Sequence, residues 1–92
     1  MRLVWSVTAR SELKQAVAHI AEDDLAAAIR VRDRISDTAN TLTTYPSIGR
    51  PGRLAGTREL VIPHLPYLIV YLASKTQVVI LRVLHTSRNW PK

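Results

Sequence analysis

The chain has 92 residues, with 13 Lys plus Arg against 7 Asp plus Glu and no cysteine. That length leaves room for one core, so residues 1–92 are expected to form a single domain. A hydrophobic fraction of 47% excludes a disordered polybasic tail, and the lack of cysteine excludes a disulfide scaffold or thiolate metal site and fits a reducing cytoplasm.

Two further segment types are not expected. No apolar run approaches the roughly 20 residues of a membrane span, and Met1-Arg2-Leu3-Val4-Trp5 meets polar residues at Ser6, too early for a signal peptide's apolar centre.

Arg2 to Val7 has the β-favouring composition of a short strand, after which Thr8 can cap a helix. Leu13, Ala16, Val17 and Ile20 follow at i, i+3, i+4 and i+7, the apolar face of an amphipathic helix. The Glu22-Asp23-Asp24 run interrupts it and places Asp23 or Asp24 to cap a second helix. Leu25, Ala28, Ile29, Ile35, Ala39 and Leu42 extend an apolar face along that second helix, giving a helical hairpin. Arg30 with Asp33, and Arg34 with Asp37, are spaced as i,i+3 ion pairs on its outer side.

Tyr45-Pro46 ends the second helix, because the residue before a proline is pushed out of the helical region. Pro46 to Gly56 then holds all three glycines, two of the five prolines and Arg50 and Arg53. This is a loop that continues neither helix nor strand, either a plain crossover to the sheet or a place where a partner's backbone approaches closely. Thr57 to Ile62 is a strand, and Pro63-His64-Leu65-Pro66 is a turn. The continuously apolar Tyr67 to Ala73 has the pattern of a strand buried on both faces. Ser74-Lys75-Thr76 turns the chain into Gln77 to Leu84, where Val78, Ile80, Arg82 and Leu84 alternate with Val79, Leu81 and Val83. Arg82 interrupts an apolar stripe. It either pairs with Glu59 on the neighbouring surface or lines a functional groove.

Charge is distributed unevenly. Residues 1–45 carry six cations and six anions, whereas Pro46 to Lys92 carries seven cations (Arg50, Arg53, Arg58, Lys75, Arg82, Arg88 and Lys92) against Glu59 alone. The whole net charge of +6 belongs to the second half. Five of the seven cations are arginines, the side chain suited to phosphate and carboxylate recognition, so an acidic partner is expected.

The chemistry open to these residues is narrow. His19, His64 and His85 lack metal-ligand spacing, no phosphate-cradling Gly-x-x-x-x-Gly-Lys motif occurs, and no nucleophile elbow is present. No metal or cofactor is expected. One enzymatic possibility remains, a metal-free ribonuclease in which Arg58, Arg82 and Arg88 stabilise a phosphate and His85 transfers a proton. Arg50 and Arg53 could add charge to that surface, and Trp90 could stack a base or pack back onto the sheet.

Taken in order, several motifs resemble the RelE/ParE superfamily of bacterial toxins over essentially the whole chain. They are Pro46-Ser47-Ile48-Gly49-Arg50, Gly56-Thr57-Arg58-Glu59-Leu60, Pro66-Tyr67-Leu68-Ile69-Val70-Tyr71 and Ile80-Leu81-Arg82-Val83-Leu84-His85 before Trp90-Pro91. The resemblance implies an α+β fold, with an N-terminal strand and a helical hairpin packed on an antiparallel sheet of three to four strands. It implies the toxin of a type II toxin–antitoxin module, of the kind associated with growth inhibition and plasmid stabilisation, bound and blocked by a small cognate antitoxin.

RelE-like members cut mRNA on the ribosome. Their pattern has Lys, Lys and Arg where this chain has Glu59, Val61 and Leu68; Arg88 alone matches a catalytic arginine, and the late tyrosine has no counterpart. The sequence is therefore closer to ParE-like members, which inhibit DNA gyrase. On that reading Arg50, Arg53, Arg58, Arg82, His85, Arg88 and Trp90 are candidates for target binding. A ribosome-dependent mRNA endonuclease using Arg58, Arg82, His85 and Arg88 is the alternative. The antitoxin is expected to be ParD-like, with an acidic amphipathic C-terminal segment.

Overall fold

A computed structural model describes residues 1–91. Lys92, one of the seven cations of the second half, lies outside the described residues. The elements in order are β1 (Arg2–Trp5), α1 (Val7–Ala21), α2 (Leu25–Thr41), β2 (Arg50–Pro51), β3 (Arg58–Val61), β4 (Tyr67–Ala73) and β5 (Gln77–His85). They form one five-stranded sheet in the order β1-β5-β4-β3-β2. The α+β architecture matches the expectation, but the sheet has five strands rather than three to four, and it is mixed. β1 runs parallel to β5, pairing Arg2 with Gln77 and Trp5 with Ile80, while the other pairs are antiparallel. The strand inside the Gly/Pro loop, β2, is only two residues long and pairs Arg50 with Glu59. A proline ends it at the sheet edge, where no ladder donor is needed.

The helix caps follow side-chain chemistry. Ser6, not Thr8, caps α1: its hydroxyl accepts from the Ala9 N–H at 3.0 Å and donates to the Leu81 carbonyl at 2.9 Å. The Ser6 N–H also donates to the Ile80 carbonyl, so strand pairing carries one residue beyond β1 and fixes where the helix starts. Asp24 caps α2, accepting from the Ala27 N–H at 3.0 Å. The i,i+3 pairs expected along α2 do not form. Asp33 is taken by its neighbour Arg32 at 3.0 Å, and Arg34 leans off the helix to donate to the Pro63 carbonyl.

The hairpin packs on one face of the sheet. Ala9, Ile35, Ala39 and Leu42 meet Ile62, Ile69, Tyr71, Val78, Ile80 and Val83 in the main core. Each fully buried aliphatic side chain contributes about 1.5–3 kcal/mol. Burial along α2 begins at Ala28, so Leu25 and Ile29, expected on the buried stripe, overhang the core at 66% and 41% exposure. β4 is covered on both sides as its sequence implies. Ile69 and Tyr71 face the helices, and Leu68 and Val70 join Leu84 and Trp90 on the other face.

One irregularity rearranges β5. Val70 pairs with Arg82 but Tyr71 pairs with Ile80, so Leu81 is the extra residue of a β-bulge. The bulge shifts the alternation by one. Val78, Ile80 and Val83 face the helices while Arg82 turns to the opposite face with Val70 and Leu84, and Arg82 therefore does not share the Val78–Ile80 stripe.

Candidate functional surface

The basic half is organised around two carboxylates. The first is Glu59, whose side chain is fully buried at the centre of β3. Its oxygens accept from the Arg50 guanidinium at 3.1 Å and the Arg53 N–H at 3.0 Å, with the Arg53 Nε at 3.5 Å. Burial alone would push this carboxyl up. The Arg53 N–H, the Arg50 guanidinium and the charges of both arginines outweigh burial and hold it below the ordinary value of 4.5.

The loop bearing those arginines is anchored at its start by Tyr71, whose hydroxyl donates to the Pro46 carbonyl at 2.7 Å and accepts from the Gly49 N–H at 3.0 Å. A Cβ at Gly49 would lie 2.6 Å from that hydroxyl oxygen, so the approach requires glycine. Arg58 closes the same loop from β3, donating to the Gly49 carbonyl at 2.8 Å.

The second carboxylate is Glu12, on α1. β1 covers the edge of β5 only as far as Ile80; beyond it the Glu12 carboxylate accepts from the Val83 N–H at 3.0 Å in place of a strand partner. Arg82, freed from the apolar stripe by the bulge, grips Glu12 with two bonds, Nε to Oε1 at 3.0 Å and Nη2 to Oε2 at 2.8 Å. This corrects the expected Arg82–Glu59 pair. The Glu12 hydrogen bond and charge raise the Arg82 pKa further, against the opposing effect of burial. Arg88 approaches the same carboxylate at 3.6 Å.

The two clusters meet through the C-terminal residues. The Arg82 guanidinium lies 4.8 Å from the centroid of the Trp90 ring, and the Trp90 carbonyl accepts from Arg53 at 2.6 Å. Trp90 thus packs back onto the sheet, with its indole N–H buried and unpaired among the described residues.

These contacts change the meaning of the +6. Arg50 and Arg53 hold Glu59, Arg82 and Arg88 hold Glu12, and Arg58 holds backbone carbonyls. Lys75 stands exposed in the β4–β5 turn with no carboxylate partner among the described residues.

The ribonuclease set of Arg58, Arg82, His85 and Arg88 is brought together only in part: His85 and Arg88 line one crevice and Arg82 and Arg88 share Glu12, but Arg58 lies apart. Arg58 pairs with Tyr71 and His85 with Tyr67 across β4, four residues apart along it and two strands apart across it. Strand spacing puts their Cα atoms roughly 16 Å apart. His85 shares the helix side of the sheet with Tyr67, its ring edge-on to that ring at 5.3 Å, and its Nδ1 accepts from the Ser87 N–H at 3.1 Å. Arg82 lies on the other face.

The three positions where RelE-like members carry cations lie together, because Val61 pairs with Leu68 and Glu59 with Val70. They hold a 50% exposed valine, a buried leucine and a buried, neutralised carboxylate. Among the described residues no group of His, Asp or Glu side chains is placed to hold a metal ion, and no helix is long and apolar enough to cross a membrane.

Sequence reasoning missed Glu12, Tyr71 and Ser87. Nothing in the residue order links position 12 with position 82. Tyr71 reads as one more apolar residue of β4, and the only hint of its role is a hydroxyl in a fully buried run.

A hairpin of helices on a mixed sheet whose second half is cross-braced by arginines defines a small α+β fold. A solved structure described as "Chromosomal ParDE TA system from P. aeruginosa" superimposes with a TM-score of 0.82 over 92% of this chain and 95% of that one, at 22% identity. A protein of Sinorhizobium fredii, described as "Putative toxin Y4kP", is 43% identical over 91 residues, covering 99% of this chain and 94% of its own. The family model for the ParE toxin of the type II toxin–antitoxin system parDE matches residues 3–90. The chain belongs to the ParE toxin family.

Proposed function

We propose that this toxin inhibits DNA gyrase in the cytoplasm, blocking growth, and that a ParD-like antitoxin neutralises it by binding directly. The observation that carries the reading is the replacement of a phosphate-stabilising cation set by Glu59, Val61 and Leu68, with Glu59 already neutralised by Arg50 and Arg53. A metal-free ribonuclease needs several preorganised cations, and removing a single such donor costs on the order of 10²–10³ in rate. Arg50, Arg53, Arg82, Arg88 and Trp90 form one braced surface, which suits docking against a folded protein better than cutting RNA. The antitoxin's acidic C-terminal segment is supported by the toxin's net charge of +6.

The test is induced expression followed by two parallel assays, one for gyrase cleavage complexes and supercoiling and one for mRNA integrity in translating ribosomes. Gyrase inhibition with intact mRNA is the expected result. Intact gyrase activity with cut mRNA overturns the proposal in favour of the ribonuclease.

A further inference from the structure

Between α1 and the C-terminal end of β5 lies a crevice of about 280 Å³ that neither carboxylate cluster fills. Its apolar part is Ala16, Val83 and the ring of Tyr67, and its polar part is His19, His85, Gln15 and Arg88. The arrangement favours hydrogen-bond donors. Because the His85 Nδ1 accepts from the Ser87 N–H, the neutral ring carries its proton on Nε2, which is left free to donate. The edge-on contact with Tyr67 fixes the orientation of that ring. The Arg88 side chain is 44% exposed and reaches Glu12 only at 3.6 Å, so most of its five N–H groups remain available.

Glu12 also faces the crevice, but its oxygens already accept from Arg82 twice and from the Val83 N–H. Arg82, which does not line the crevice, offsets the single negative charge of Glu12 with its two bonds, so the charge left facing the crevice is that of Arg88. The groups facing it from α1 are Glu12, Gln15 and His19, and from β4, β5 and the segment after β5 they are Tyr67, His85 and Arg88.

We propose that this crevice receives an aspartate or glutamate side chain from an acidic segment of a protein partner. The carboxylate would sit among Arg88, His85 and His19, and apolar residues beside it would lie on Ala16, Val83 and Tyr67. Charge complementarity identifies the occupant: a donor-lined mouth whose one unneutralised charge is that of Arg88, over an apolar floor, fits a single acidic side chain flanked by apolar ones better than a phosphodiester. Identifying that segment with the antitoxin rests on the function proposed above, whereas the carboxylate subsite does not depend on gyrase being the target.

The test uses the purified full chain and follows the imidazole C–H resonances of His19 and His85 by NMR, with His64, which does not line the crevice, as internal control. The probes are acetyl-Leu-Glu-Leu-amide, its Gln counterpart and inorganic phosphate. Saturable shifts at His19 and His85 are expected, with the Glu peptide binding about tenfold tighter than the Gln peptide, the margin of a charge-assisted hydrogen bond. Arg88→Gln should weaken the Glu peptide by a similar factor while leaving the remaining amide spectrum unchanged. Equal affinity for the Glu and Gln peptides, equal shifts at His64, or phosphate saturating the same resonances at lower concentration would each overturn the proposal. Because neither gyrase nor mRNA enters the experiment, its failure is separable from failure of the gyrase assay.

Discussion

Glu59 and Glu12 each gather two arginines, yet they brace the molecule in opposite ways. Glu59 works locally: Arg50 and Arg53 lie six to nine residues away, and the carboxylate shapes the loop that precedes its own strand. Glu12 works at long range, gripping Arg82 across 70 residues and completing the exposed edge of β5 where β1 stops. The two also differ in burial. The Glu59 side chain has no exposed surface, whereas Glu12 retains 14%. A buried carboxylate with half-exposed partners suffers most when its partners are lost, and a partly wet one can fall back on water. The difference shows how a basic half-chain spends its arginines on structure. Four of them are fixed by two acids, and only one of those acids belongs to the same half.

Substitutions can break or sharpen this contrast. Glu59→Ala should have the largest effect, about 3 kcal/mol by urea denaturation, the lower end for removing one member of a buried pair because both guanidinium groups can rehydrate. Acid titration should single out the same residue. The Glu59 pKa is depressed in the folded state, so the unfolded chain binds more protons below 4.5. The stabilisation is fully present above that value and is lost as pH falls through the lower folded pKa. Glu59→Gln should flatten that part of the stability profile.

Glu12→Ala should cost about 2 kcal/mol, the range for charged hydrogen bonds, and should also loosen the segment carrying Arg88 and Trp90. Arg82→Lys keeps the charge but loses the two-pronged grip and should cost about 1 kcal/mol, detectable as a lower denaturation midpoint. The exposed Arg32–Asp33 pair sets the floor, and Asp33→Asn should change stability by less than about 0.5 kcal/mol.

Much of the fold was legible from residue order because it depends on local patterns. An aspartate cap at position 23 or 24, the helical hairpin and the doubly covered β4 follow from capping chemistry and from periodicity. What was not legible depends on non-local geometry. The bulge at Leu81 leaves a single trace in the sequence, the interruption of the Val78, Ile80 and Leu84 stripe by Arg82, and the extra residue moved Arg82 from one face to the other. Thr8 has the chemistry of a cap, but strand pairing of Ser6 to Ile80 fixes the start of the helix before it. β1 could have joined either edge of the sheet, and its parallel pairing with β5 has no local signature. At the candidate surface, the counts of cations and the departures at Glu59, Val61 and Leu68 were readable. Which cations remain unengaged was not, because that depends on where Glu12 lands.

The Tyr71 hydroxyl has a consequence for how the molecule breathes. Gly49 lies outside regular structure in a Gly/Pro-rich stretch, where amides ordinarily exchange with solvent through small local openings. Its N–H, however, is capped by a side chain rooted in the fully buried middle of β4. To exchange that proton the molecule must disturb the sheet, not just the loop. The Gly49 amide should therefore keep time with the slowest protons of β4, so that a glycine between helix and sheet reports the opening of the core.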